Sequence, residues 1–410
     1  MLKKIGLFLA SIAPGVFLIG YNIGTGSITT MASAGAEYGM ALMWPLLLSC
    51  VFTYYLIVSF GEYTMLTGDT ILFSYKKHYG KAVALFVLVA LLISEWISSM
   101  GLMGIVTQVV QEWSRPLTKS GNGFNPIIMA LIFGSILYYI FWQGRHRFFE
   151  KILTFFVTIM GLSFILTMFM VDPDPASIFH GLVPKIVGGK NSFLIMSGMV
   201  GTTMGGILFV VRSILVQEKG WTIKDLKIEK RDAKISAILM FVLSVAIMIS
   251  AAGTMYVRGL RVDNAIDMVN LIEPLAGRFA TSIFVVGIVS AGLSSLLPIV
   301  LLAPWLFADY NGKPRNMKST NSRLLVLFGL LLGLVVPIFG GRPVLVMIVS
   351  QALTILATPV ILFYLLRLLN SKNIMGDYKI SLAKNIIISI ILGFTLLMSY
   401  AGIVGIIDLF

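Results

Sequence analysis

The sequence predicts an all-α polytopic membrane protein with eleven transmembrane helices, and three observations predict it. The 410 residues are 58% hydrophobic and only 12% charged, about half the charged share of a typical soluble domain. Mean hydropathy is +0.94, and the apolar residues are gathered in runs of about 17 residues or more, each long enough to cross a bilayer. Lysine and arginine concentrate in alternate connecting segments, the asymmetry that orients a polytopic chain.

The first run, about Ile5 to Ala36, follows Met1-Leu2-Lys3-Lys4 and continues far beyond the apolar core of a signal peptide with no clear cleavage pattern. It is therefore read as an uncleaved span. The second runs Met40 to Leu66. The third, Ala82 to Val110, carries the only mid-span carboxylate, Glu95. Spans four and five are about Ile127 to Trp142 and Phe149 to Val171. Asp172-Pro173-Asp174-Pro175 and Gly188-Gly189 follow, in a stretch too rich in proline to be helical throughout. Spans six to eleven are about Phe193 to Val216, Ile235 to Val257, Phe279 to Phe307, Leu324 to Phe339, Val344 to Leu369 and Ala383 to Ile407.

The sixth span contains Gly205-Gly206, which answers Gly24-Thr25-Gly26-Ser27 in the first. Paired glycines weaken a helix where no water can rescue its backbone, so such breaks persist only beside a cavity. Interrupted helices in corresponding positions of two halves point to a transporter's binding site. The chain is read as one transmembrane domain, 1–410. Residues 1–171 hold helices 1 to 5, residues 193–369 hold helices 6 to 10 in inverted orientation, and residues 383–410 add an eleventh helix.

With the N-terminus inside, 22 lysines and arginines fall in cytoplasmic segments against eight outside, and Arg212 lies within a span. This bias places the C-terminus outside and accounts for most of the formal charge of +13 without nucleic acid. Cys50, the single cysteine, lies in an apolar run and is assigned to packing. The three histidines, His78, His146 and His180, all fall in loops, so the spans offer no imidazole for a proton relay. No nucleophile, base and orienting group stand together, and no enzyme is expected.

Several stretches resemble the NRAMP family of proton-coupled divalent-metal transporters over about Ala13 to Pro359. They are Gly35-Ala36-Glu37-Tyr38-Gly39-Met40-Ala41-Leu42-Met43-Trp44, Glu150-Lys151-Ile152-Leu153 leading to Gly161-Leu162, Gly181-Leu182-Val183-Pro184, Ser213-Ile214-Leu215-Val216-Gln217, and Glu273-Pro274-Leu275 with Ala291-Gly292-Leu293-Ser294-Ser295. The resemblance implies the leucine-transporter-type fold, alternating access, and a midplane site between broken helices 1 and 6. Its metal-binding DPGN falls on Gly24, Thr25, Gly26 and Ser27, and its MPHN on Gly205, Gly206, Ile207 and Leu208, with Met204 one residue away. The family's usual histidine before Ser213 becomes Arg212. Its third-helix acidic pair falls on Leu102 and Ile105, and its tenth-helix glutamine on Ala357.

A dehydrated transition metal needs anionic, imidazole or thioether ligands, and here the residues offer carbonyls, hydroxyls and Met204. Gly24, Thr25, Gly26 and Ser27, with Thr29 and Thr30, instead supply a helix N-terminus and hydroxyls, which suit an anion. Gly205 and Gly206 form the facing break, and Arg212 is expected to draw the anion through the inner vestibule. Other readings keep the glycines for close helix packing, make Arg212 a partner of Glu95 or of the interface, and make Glu95 a proton carrier or structural partner. The sequence therefore predicts a secondary transporter of the bacterial cytoplasmic membrane, without cofactor or metal site, carrying a small anion such as bicarbonate or a small carboxylate. The alternatives are a divalent metal ion (Mn²⁺ or Mg²⁺), an amino acid, or a sensor that transports nothing. The lipid bilayer is the one macromolecular partner expected.

Overall fold

The computed structural model describes residues 25–143, 158, 161–171, 174–189, 191–264, 267–268 and 273–409, apart from the side chains of 25, 273–281, 283 and 284. Every regular element among the described residues is helical. Nine of them, taken across short breaks, are long and apolar enough to cross a membrane. These correspond to expected spans two to four and six to eleven. Spans one and five lie partly outside the described residues.

The first described helix is α1, Thr25–Tyr38, followed by α2, Met43–Thr67, α3, Ile71–Tyr79, and α4, Lys81–Ser114. Next come α5, Pro126–Gln143, α6, Gly161–Met170, and the short α7, Pro175–Gly181. Helix α8, Ser192–Met204, and α9, Gly206–Lys219, are the two halves of the sixth span. They are followed by α10, Leu226–Thr254, α11, Glu273–Tyr310, α12, Thr320–Leu332, and α13, Val335–Phe339. The last are α14, Pro343–Asn370, α15, Lys372–Met375, and α16, Leu382–Ile407.

Several elements depart from the expected pattern: the ninth span is divided into α12 and α13, and α7, which holds His180, and α15 form in segments expected to be loops. Helix α3 fills a segment read as a loop, because Ile71, Leu72 and Tyr75 recur at helical spacing and are buried together. Helix α10 begins nine residues before the expected Ile235, since the charged turn after Leu226 continues the helix beyond its apolar part. Gly68 closes α2 in the left-handed conformation, φ +72°, its N–H returning to Thr64 O at 2.8 Å, so the chain can turn at once into α3.

The α8–α9 span is the one whose membrane-length window is wholly buried, whereas α5 buries only 17% of its window and presents apolar side chains outward. Helix α4 packs between α11 and α14, α8 packs on α14 and α16, and α1 lies along α10. Backbone groups left open inside the bundle are met by hydroxyls, as a lipid environment demands. Pro359 cannot donate to Ile355 O, and Ser399 Oγ supplies that bond at 3.0 Å. Thr203 O, near the end of α8, accepts from Thr53 Oγ1 at 2.8 Å.

Candidate functional site

The sixth span breaks at Gly205, whose extended backbone, φ −64° and ψ 142°, ends α8 and starts α9. The break is packed tightly: a side chain at Gly205 would meet the Thr354 methyl, and one at Gly206 would meet Ile361. The Gly206 N–H donates to Thr358 Oγ1 at 2.9 Å. The first donor of α9 is therefore occupied by the protein itself.

Gly26 and Ser27, expected in a break, lie within the described helix α1, Thr25–Tyr38, and Gly24 lies outside the described residues. The Thr29 and Thr30 hydroxyls both donate to Gly26 O at 2.9 Å. The Ser27 hydroxyl pairs with the Thr202 hydroxyl at 2.9 Å and so ties α1 to α8. Beside that contact lies a cavity of about 20 Å³ lined by Gly26, Ser98, Leu102, Thr202, Ser295, Ile299, Met347 and Gln351. Ser98 Oγ donates to Ser350 Oγ at 3.0 Å, and the Gln351 amide reaches Ser98 Oγ at 3.5 Å. The Ser295 hydroxyl is buried and has no hydrogen-bond partner. The cavity thus offers hydroxyls, one amide and one thioether.

Met204 is buried at the end of α8 but does not line this cavity, where Met347 of α14 supplies the thioether. Glu95 is buried on α4, one turn before Ser98 and on the face that carries Ser98 and Leu102. No group of three or more His, Cys, Asp or Glu suited to a metal ion occurs among the described residues.

Arg212 contradicts its expected role. Its side chain is fully buried, Nε donates to Glu229 Oε1 at 3.0 Å, and Nη1 lies 2.6 Å from Asp232 Oδ2. Two carboxylates from the start of α10 neutralise the guanidinium, so it neither faces a vestibule nor pairs with Glu95. Gly61 of α2 admits this cluster, because a Cβ there would overlap the Glu229 carboxylate. Sequence reading missed both partners because they stand in a charged turn that resembles an exposed loop.

The profile described as "Natural resistance-associated macrophage protein-like" matches residues 15–405, nearly the whole chain. The chain belongs to the Nramp family. A natural resistance-associated macrophage protein 2 homolog from Dictyostelium discoideum is 24% identical, over 99% of this chain and 64% of its own, so the chain spans just under two thirds of that relative. A divalent metal cation transporter MntH from Caldanaerobacter subterraneus is 22% identical over 92% of this chain and 88% of its own. A crystallised mutant of the Eremococcus coleocola manganese transporter superposes with a TM-score of 0.72 at 14% identity, covering 98% of this chain and 94% of its own. The shared fold is that of a membrane transporter of the leucine-transporter type, and Nramp proteins are transporters rather than enzymes.

In the tenth span it is Gln351 that lines the cavity. Ala357, six residues later, is buried away from the cavity. Leu102 does line the cavity, and Ile105 is buried without reaching it.

Proposed function

We propose that this Nramp-family transporter carries a divalent metal cation, bound without most of its water in the cavity beside Gly26. The observation that carries this reading is the size and lining of that cavity. A volume of about 20 Å³ admits roughly one water-sized body, which suits a bare ion and not an anion of several heavy atoms. Its donors are the Ser98, Thr202 and Ser295 hydroxyls, the Gln351 amide and the Met347 sulfur. These ligands are neutral, so a dication needs countercharge nearby. Glu95, buried three residues or about 4.5 Å before Ser98 along α4, is the carboxylate we assign to that role. The names of the metal-transporting relatives support the same cargo.

A small anion, bicarbonate or a carboxylate, is the second reading, favoured by the lack of any carboxylate or imidazole among the lining residues. It loses its main support with Arg212, whose charge is taken by Glu229 and Asp232. We further read 1–171 and 193–369 as inverted halves, and the lysine-rich end of the bundle, with the N-terminus, as cytoplasmic.

Paired uptake into proteoliposomes tests the choice, with Mn²⁺ read by a trapped dye and bicarbonate by isotope. Saturable Mn²⁺ influx that falls in Gln351→Leu is expected. Bicarbonate influx with no Mn²⁺ influx would overturn the cation reading.

A further inference from the structure

At the lysine-rich end, a second cavity of about 320 Å³ lies among α3, α9, α11 and the loop that follows α11. Its lining includes Asp69, Thr70, Gln217 and Asp309. Asp309 is 5% exposed; its Oδ1 accepts from the Thr70 hydroxyl, and its Oδ2 has no hydrogen-bond partner. A buried carboxylate oxygen with no hydrogen bond, on a residue that lines a cavity, is a candidate cation ligand. Asp69 brings a second carboxylate next to Thr70. Its present partner is Lys77 at 2.8 Å, a side chain 51% exposed, and such surface pairs hold weakly enough to be displaced. Gln217 uses its amide nitrogen on Gly68 O at 2.9 Å, which leaves the amide oxygen on the other side.

Two basic residues also line the cavity, and the charge of Arg315 is felt at Asp309. Arg315 is engaged by Glu218 at 2.9 Å, and Lys313 is exposed. The position relative to the central cavity is also apt. Helix α9 runs from the break at Gly206 to Gln217, eleven residues or about 16 Å along its axis. An ion leaving a cavity of about 20 Å³ must regain its water, and 320 Å³ between two carboxylates gives it room to do so.

We propose that Asp309 and Asp69, with Gln217 and Thr70, form a second divalent-cation site in which the ion is held partly hydrated at the lysine-rich end. The inference extends the cation reading of the central cavity but is tested separately from it. Purified full-length protein would be titrated with Mn²⁺, and the free ion read by its paramagnetic resonance signal. Asp309→Asn keeps the Oδ1 contact to Thr70, and Asp69→Asn alters an accessible side chain, so both variants should fold. The expected result is two classes of bound Mn²⁺, one lost in Asp309→Asn and in Asp69→Asn, the other lost in Gln351→Leu. Identical Mn²⁺ binding by the wild type and both aspartate variants would overturn the second site while leaving the central one standing. A single class that is lost only in the aspartate variants would support this site and reject the central one. No Mn²⁺ binding at all would reject both.

Discussion

Arg212 donates from Nε to Glu229 Oε1 at 3.0 Å with both side chains fully buried, and Asp232 closes the cluster on the other side. The charge that would have marked this transporter as an anion carrier is thus a structural clamp between α9 and α10. Burying three charged groups is costly, but once they are buried, removing one is costlier than keeping all. Arg212→Met should destabilise the protein by about 3–5 kcal/mol, because it strands two carboxylates inside the bundle. The measurement is thermal unfolding in detergent. A wild-type melting temperature combined with abolished uptake would instead return Arg212 to the permeation path.

Two glycines that both touch α14 should respond in opposite ways. A Cβ on Gly26 would stand 2.8 Å from the terminal methyl of Met347 and 3.1 Å from the Gln351 amide. Both are the ends of flexible side chains, so Gly26→Ala should fold while filling the cavity and stopping transport. A Cβ on Gly201 would run into the Gln351 backbone carbonyl, which cannot yield. Gly201→Ala should therefore lower the melting temperature, with an overpacking cost of about 1–3 kcal/mol. Equal loss of stability in the two variants would show that the Gly26 position is packing and not site.

The broken span offers a third test at Thr358, whose hydroxyl receives the Gly206 N–H at 2.9 Å. Thr358→Val preserves shape and removes the acceptor. Leaving a buried N–H unmet costs about 1–3 kcal/mol, and the loss should appear in hydrogen exchange as faster opening of the first turn of α9. Unchanged exchange there would mean that another group can take over the cap.

Much of the fold was legible because apolar run length and glycine pairs act locally. The break at Gly205-Gly206 and the bounds of α14 and α16 follow from residues adjacent in sequence. Features set by contacts between distant segments were not legible. Glu229 and Asp232 look like solvent-facing charges until α10 is seen to extend toward Arg212, and Asp309 looks like a loop residue until Thr70 is placed on it. At the site, Gly26 was singled out by the glycine pair of the first span alone. Met347 was not, being one apolar side chain among many in α14, whereas Gln351 beside Ser350 is a polar pair inside an apolar span, a signal that was present and not used.

Met347 carries the sharpest chemical prediction. It is the one thioether among the residues lining the central cavity, beside hydroxyls and an amide that any hard cation would accept. Sulfur selects for softer metals and contributes little to Mg²⁺. Met347→Leu conserves volume and should cost less than about 1.5 kcal/mol of stability. Inhibition of Mn²⁺ uptake by Cd²⁺ should weaken, by at least the roughly 10-fold that even an outer-shell loss costs a metal site. Inhibition by Mg²⁺ should stay as it was. If Cd²⁺ competes equally well against both proteins, the sulfur does not touch the ion, and the cavity selects by size through oxygen donors alone.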